Sequence, residues 1–171
     1  MKKEFVVLVN KNGQKIGIAE KLEAHKKGLL HRAFSVFIYN RQGEMLLQKR
    51  ASSKYHFAGL WSNACCSHPR PGEKILSAAV RRLTEELNIQ AALESKGAIT
   101  YKLLDEKSGL TEHEYDLIFS GEFNGEFNFN ENEIEEVKWI SVSKLKREMN
   151  KEPEKFTPWF LQIMKEINLA L

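Results

Sequence analysis

The chain has 171 residues, a formal net charge of +3 and 42% hydrophobic residues. That suits one domain, residues 1–171, with enough apolar content for a buried core, and its mixed-sign charge excludes a disordered chain. A mild positive balance fits a small anionic substrate, whereas no Lys/Arg block or repeated aromatic platform points to nucleic acid.

The first residues, Met-Lys-Lys-Glu before Phe5–Val9, lack the apolar run of a signal peptide, and no stretch is long enough to span a bilayer. The only cysteines, Cys65 and Cys66, are adjacent, and neighbours rarely close a comfortable disulfide. A cytoplasmic protein with no membrane partner is therefore expected. No oligomer is required, and a monomer is the expectation.

In chain order, Phe5–Asn10 reads as a strand, Asn12-Gly13 as its turn and Ile16–Ala19 as the returning partner. Glu20–Leu30 is helix or loop and carries Lys21 and His25. His31 opens a strand over Arg32–Asn40, and Arg41-Gln42-Gly43 turns it into Glu44–Arg50. The basic segment Lys49–Lys54 follows. Next come W-S-N-A-C-C-S-H-P-R-P-G-E at Trp61–Glu73, read as a tight loop because of its Pro69, Pro71 and Gly72, and then a helix. Leu76, Ala79, Val80, Leu83 and Leu87 form its apolar stripe, with Arg81, Arg82, Glu85 and Glu86 lying off it. Ala98–Leu104 and Glu112–Gly121 read as strands around an Asp105–Gly109 turn. A polar connection, Gly125–Asn132, leads to the strand Glu136–Ile140 and the helix Ser143–Asn150. Pro153 breaks that helix, and Phe156–Leu169 is a last helix with a stripe through Trp159, Phe160, Ile163 and Ile167. Hairpins interspersed with helices predict one mixed α/β sandwich, not a parallel doubly wound sheet.

The chemistry concentrates around the loop and helix at Trp61–Ile89, where Cys66, His68, Glu73 and Glu86 converge. Arg81–Glu85 and Arg82–Glu86 are either ordinary surface pairs, worth about 0.2–0.5 kcal/mol each, or the charged edge of a phosphate and metal site. Glu112 and Glu114, at i and i+2 of a strand, face the same way, and His113 faces the other. With His25, His31 and His68 they make a donor set suited to a divalent transition metal such as Mn²⁺ or Zn²⁺. His56 and His113 are assigned to structure. Cys66 is a candidate acid, base or nucleophile, and Cys65 a small buried hydrophobe. Lys21, Arg50, Lys54 and Arg82 are either a solvated basic face or an anion clamp.

The run G-E-x7-R-R-L-x-E-E-L-x-I from Gly72 to Ile89 resembles the Nudix box, with departures. Ser67 stands where the box opens on glycine, Arg81-Arg82 where hydrolases carry Arg-Glu, and Asn88 where they carry a late glycine. Replacing a metal-holding glutamate by Arg82 favours gripping a diphosphate over cleaving it. Together with S-N-A-C-C-S-H-P at Ser62–Pro69, the histidine pair of His25–Ser35, the E-x-E at Glu112 and Glu114, and Thr157-Pro158-Trp159, the chain resembles the type I isopentenyl-diphosphate isomerases over nearly its whole length.

That resemblance implies a Nudix-like α/β/α sandwich around a mixed sheet and the conversion of isopentenyl to dimethylallyl diphosphate in isoprenoid biosynthesis. It implies that His25, His31, His68, Glu112 and Glu114 hold a divalent metal, and that Glu86 helps hold Mg²⁺ against the diphosphate. Lys21, Arg50, Lys54 and Arg82 would grip that diphosphate. Cys66 and Glu114 would move protons on opposite faces of the substrate, Tyr101 would hydrogen-bond near Glu114, and Trp159 would face the hydrocarbon. The rival readings are a Nudix hydrolase and a metal-stabilised binding module.

Overall fold

The computed structural model describes residues 3–167. Nine strands form one sheet: β1 Phe5–Val9, β2 Lys15–Glu20, β3 His31–Tyr39, β4 Glu44–Arg50, β5 Trp61–Asn63, β6 Cys65–Ser67, β7 Glu94–Asp105, β8 Leu110–Glu122 and β9 Ile134–Ser141. The helices are α1 Lys21–Lys27, α2 Ile75–Leu87, α3 Val142–Lys151 and α4 Pro158–Glu166. Strand β3 is the hub. It is buried along nearly its whole length, pairs antiparallel with β1, β4 and β6, and pairs in parallel with β8.

Because β3 is covered on both faces, its apolar residues divide between two cores. Phe37 and Tyr39 pack with Leu145 and Met149 of α3 and with Trp159, Phe160 and Ile163 of α4. Phe34, Val36 and Ile38 pack instead with Ala78, Ala79, Leu83 and Leu87 of α2. The result is the expected α/β/α sandwich around a mixed sheet.

Several boundaries and faces differ from the sequence reading, each for a physical reason. The supposed loop at Trp61–Ser67 is two three-residue strands, because its backbone completes the ladders of β4 and β3. The Pro69–Gly72 breaker does turn the chain, with Gly72 at φ 84. On α2 the inward face is rotated from the expected stripe: Leu76 is 45% exposed and Val80 half-buried, while Ala78 and Glu86 face in. Glu86 is only 4% exposed, so it lies on the buried face and not off it. Asn88 ends the helix in the left-handed region at φ 51, a conformation asparagine tolerates better than most residues. Strand β7 starts at Glu94, earlier than expected, since a bulge between Ser95 and Gly97 lets it keep pairing with β8. The last helix starts only at Pro158, because Phe156 is extended and bridges Trp61. The expected end of that helix, residues 168–169, lies outside the described residues.

Candidate active site

The site is assembled mainly by β3, β6 and β8. In the parallel ladder His31 is level with Glu114, and in the antiparallel ladder Ser35 is level with Cys66. Glu112, Glu114 and Asp116 alternate along β8 and are all buried on one face. Helix α1 adds His25. Its N-cap is the Glu20 carboxylate, which accepts from the N–H groups of Leu22 and Glu23, and Gly28 closes it at φ 60. Ala24 and His25 are its buried residues. His68 follows β6 directly. The outcome is a cluster of His25, His31, His68, Glu112 and Glu114 whose donor atoms all lie within 4.8 Å of one another.

The hydrogen bonds of these imidazoles leave a place for a cation. The Nδ1–H of His25 donates to the Lys21 carbonyl at 2.6 Å, and that of His31 to the Leu29 carbonyl at 2.7 Å. In the neutral ring this leaves both Nε2 lone pairs turned inward, His25 towards Glu112 Oε2 at 3.1 Å and His31 towards His68 Nε2 at 3.2 Å. Lone pairs and carboxylate oxygens facing one another in a buried space repel unless a cation sits among them, and locking Nδ1 by a carbonyl is how proteins orient ligating histidines. Burial lowers the pKa of His68 to about 4, which keeps that ring neutral and able to ligate. The cluster can hold a metal ion.

One wall of this cluster continues into a hydrogen-bonded chain. Tyr101 O–H donates to Glu114 Oε2 at 2.5 Å and lies 3.1 Å from Asp116 Oδ2. The same Asp116 oxygen accepts from Ser35 Oγ at 2.7 Å, and Ser35 Oγ is 3.4 Å from Cys66 Sγ. Cys66 also donates to Asn63 Oδ1 at 3.0 Å. Burial, with the nearby Asp116 adding to it, pushes the Cys66 thiol up to about 12. Glu114 goes the other way: burial and Glu112 push it up, but the His31 and His68 imidazoles beside it outweigh them and hold it below its usual value. One pocket therefore presents a protonated thiol and an ionised carboxylate. Trp159 lines the same pocket, its indole N–H donating to Ser62 Oγ at 3.2 Å.

Part of the pocket lining is cationic. Lys21, Arg50, Lys54 and Arg82 all line the pocket. Each cation already has partners: Lys21 pairs with Glu4 at 2.8 Å, Lys54 with Glu133, and Arg82 with Glu86 at 2.5 Å and Glu133 at 3.2 Å. Burial pulls Arg82 down, but Glu86 and Glu133 beside it outweigh that and hold it above its ordinary value. Arg50 donates to the carbonyls of His56 and Phe57, each at 3.1 Å, and its guanidinium carbon lies 5.3 Å from the Trp159 ring.

Among the singled-out residues, nine line the pocket: Lys21, Arg50, Lys54, Cys66, His68, Arg82, Glu112, Glu114 and Trp159. His25, His31 and Tyr101 are buried against that wall. Glu86 is not among the lining residues; its Oε1 binds Arg82 and its Oε2 accepts from Gln48 at 3.1 Å. The two arginines of the box part company. Arg81 is held by Glu73 at 2.7 Å and by Glu85, away from the pocket, so Glu73 does not converge with Cys66 and His68. His113 Nδ1–H donates to the Gly28 carbonyl, a structural role as expected. The sequence reading passed over Ser35, Asp116 and Glu133, and set aside His56, which binds Glu112 and lines the pocket. Asp116 was findable, since it continues the alternation of Glu112 and Glu114; His56 and Glu133 carry no such signal.

Comparison with known proteins bears on the fold and the family. The NUDIX domain family model matches residues 29–160. Isopentenyl-diphosphate Delta-isomerase of Serratia proteamaculans is 46% identical over 164 residues, covering 96% of this chain and 91% of that protein. The protein of the same name from Halorhodospira halophila is 42% identical, covering 98% and 97%. Among solved structures, DR0079 from Deinococcus radiodurans superposes with a TM-score of 0.78 at 17% identity, covering 95% of this chain and 98% of that one, which is a likeness of fold. On its site geometry, its altered Nudix box and these relatives, the chain belongs to the isopentenyl-diphosphate Delta-isomerases of the Nudix fold.

Proposed function

We propose that this chain, as one catalytic domain, interconverts isopentenyl and dimethylallyl diphosphate by moving one double bond. The observation that carries the reading is that Cys66 and Glu114 line a single pocket with four cations, burial holding the thiol up and the neighbouring imidazoles holding the carboxylate down. The reaction adds a proton to the terminal methylene carbon, giving a tertiary carbocation-like species, and removes one from the carbon two bonds away. It needs one donor and one acceptor at every pass, and Cys66 and Glu114 fill those places, exchanging roles in the reverse direction. The Trp159 indole, on the pocket wall, would stabilise the cationic stage by about 2 kcal/mol where water is excluded. Tyr101 holds Glu114 in place and would donate to it as charge shifts.

His25, His31, His68, Glu112 and Glu114 would hold a divalent transition metal, Mn²⁺ or Zn²⁺, whose charge would fix the two carboxylates and keep Glu114 aimed at the substrate. Mg²⁺ would arrive with the diphosphate, next to Glu86. Lys21, Arg50, Lys54 and Arg82 would neutralise the diphosphate, which is a good leaving group from the allylic isomer and must be held away from water. A soluble, cytoplasmic monomer acting on this small substrate accords with the reading; no helix among the described residues is long and apolar enough to cross a membrane.

A hydrolase of the same fold would need the carboxylate that Arg82 replaces. Incubation with isopentenyl diphosphate and Mg²⁺ should yield dimethylallyl diphosphate and no free phosphate. Phosphate release without the allylic product would overturn the proposal in favour of hydrolysis.

A further inference from the structure

Five histidines are present in the chain, and their tautomers sort them. His25 and His31 have Nδ1 occupied by a backbone carbonyl and turn Nε2 to the cluster. His56 is built the other way. It is 8% exposed, its Nδ1 has no partner, and its Nε2 meets Glu112 Oε1, the carboxylate oxygen that His25 does not face. With no carbonyl locking Nδ1, the ring is free to carry its proton on Nε2 and donate it to Glu112. From this we infer that His56 is a positioning residue: it orients Glu112 for the metal centre and ties to that centre the loop that carries Lys54.

The loop between Arg50 and Trp61 supports the second half of this statement. Its conformation is set from several sides, by Arg50 on the His56 and Phe57 carbonyls, by Asp105 Oδ2 accepting from the Phe57 N–H at 3.2 Å, and by Phe57 sitting at φ 47. His56 and Lys54 are two residues apart on it. His56 touches a metal-site carboxylate, and Lys54 reaches Glu133 at the cationic end. A dication that fixes Glu112 therefore also fixes the His56 end of the loop and with it the Lys54 ammonium. Metal and diphosphate become linked ligands, and linkage requires that each strengthen binding of the other by the same factor.

This inference rests on the metal-site reading above, and the test separates the two. Co²⁺ affinity is measured by chelator competition on the full chain, and inorganic pyrophosphate affinity is measured with and without Co²⁺. Wild type should bind about one Co²⁺ and bind pyrophosphate more tightly once loaded. His56→Leu, which fills the space without a donor, should weaken Co²⁺ about 10–100-fold, the usual effect of removing a partner of a ligand, and should lose the pyrophosphate gain. His56→Gln, whose amide N–H replaces Nε2–H, should restore both and leave the Co²⁺ absorption spectrum unchanged. Should His56→Leu not fold, His56→Asn, too short to reach Oε1, carries the same expected losses. Wild-type Co²⁺ affinity and linkage in the donor-less variant would overturn the role of His56. A changed spectrum with no rescue by glutamine would overturn it too, by making His56 a ligand. No Co²⁺ bound by wild type would instead overturn the metal centre.

Discussion

The two ends of the pocket are built in opposite ways. At the metal end the groups are short side chains on paired strands or on a capped helix, nearly all buried, and their spacing is set by ladder register: His31 beside Glu114, Tyr101 across from Glu114, Ser35 across from Cys66. At the end proposed to take the diphosphate the groups are long cations, Arg50 buried and the other three half-buried and already paired with carboxylates: Lys21 with Glu4, Lys54 with Glu133, and Arg82 with Glu86. The first end is preorganised and leaves its chemistry little room to relax. The second holds its charges in existing pairs, so a diphosphate entering there, as proposed, would compete with Glu133 and gain less than four bare cations would give. Changes at the metal end should therefore act mainly on turnover, touching affinity only through the His56–Lys54 link, and changes at the cationic end on substrate affinity.

The largest effects are expected at the metal end. Glu114→Gln removes a proton acceptor and a metal donor together, so kcat should fall by at least about 10²–10⁴-fold, with bound metal lost in elemental analysis. Cys66→Ser should fall by about the same factor in kcat with KM nearly unchanged, because serine is a far weaker acid than a thiol. A Glu114→Gln enzyme with normal metal content and turnover would remove the contrast between the two ends.

At the cationic end, Arg82→Glu should raise KM strongly while costing less in kcat. It sets a carboxylate against the diphosphate and against Glu86 and Glu133, and like charges in a partly desolvated site cost several kcal/mol. An unchanged KM would take Arg82 out of the grip.

The pH profile sharpens the same contrast. The thiol of Cys66 is the protonated form of a group pushed up to about 12, so it remains protonated until pH approaches that value. The kcat profile should then show no alkaline limb from Cys66 near pH 8.5, where an ordinary thiol titrates. A limb there that disappears in Cys66→Ser would mean the thiol is not held up by burial.

The smallest effect belongs to the arginine that the pocket does not use. Glu73 is held below its ordinary value by its hydrogen bond to Arg81, so the pair stabilises the fold above the carboxylate's unfolded pKa and loses that contribution as pH falls through the lower folded value. Glu73→Gln should cost only about 0.2–1 kcal/mol at pH 7, with wild-type turnover. Denaturant unfolding at pH 7 and pH 3 checks this; a difference that persists undiminished at pH 3 would contradict it.

Much of this was legible in the sequence where periodicity carries the signal. Alternation on β8 aligned Glu112 with Glu114, and hydrophobic spacing found α2 and α4. Motif order gathered His25, His31, His68 and Cys66 before any geometry was known. What stayed hidden depends on tertiary contact. Glu86 looks like a surface residue by spacing and is buried because Arg82 and Gln48 satisfy it. His56 sits on a loop with no period, and Glu133 on a turn whose place is set by Ala51 N–H donating to its carbonyl at 3.0 Å. The strands β5 and β6 are too short to show alternation and exist only because β4 and β3 offer them partners.

Proton NMR of isopentenyl diphosphate turned over in D₂O with Mg²⁺ tests the two-group chemistry most directly, with exchange at the terminal carbon and at the carbon next to the CH₂–O group read separately. Wild type should form dimethylallyl diphosphate with deuterium entering at the terminal carbon. Glu114→Gln should lose exchange at the second carbon while residual exchange persists at the terminal one, and Cys66→Ser should lose both, because the cation must form before the second proton can leave. Wild-type exchange in Cys66→Ser, or exchange at the second carbon retained in Glu114→Gln, would contradict a donor and an acceptor acting at separate carbons.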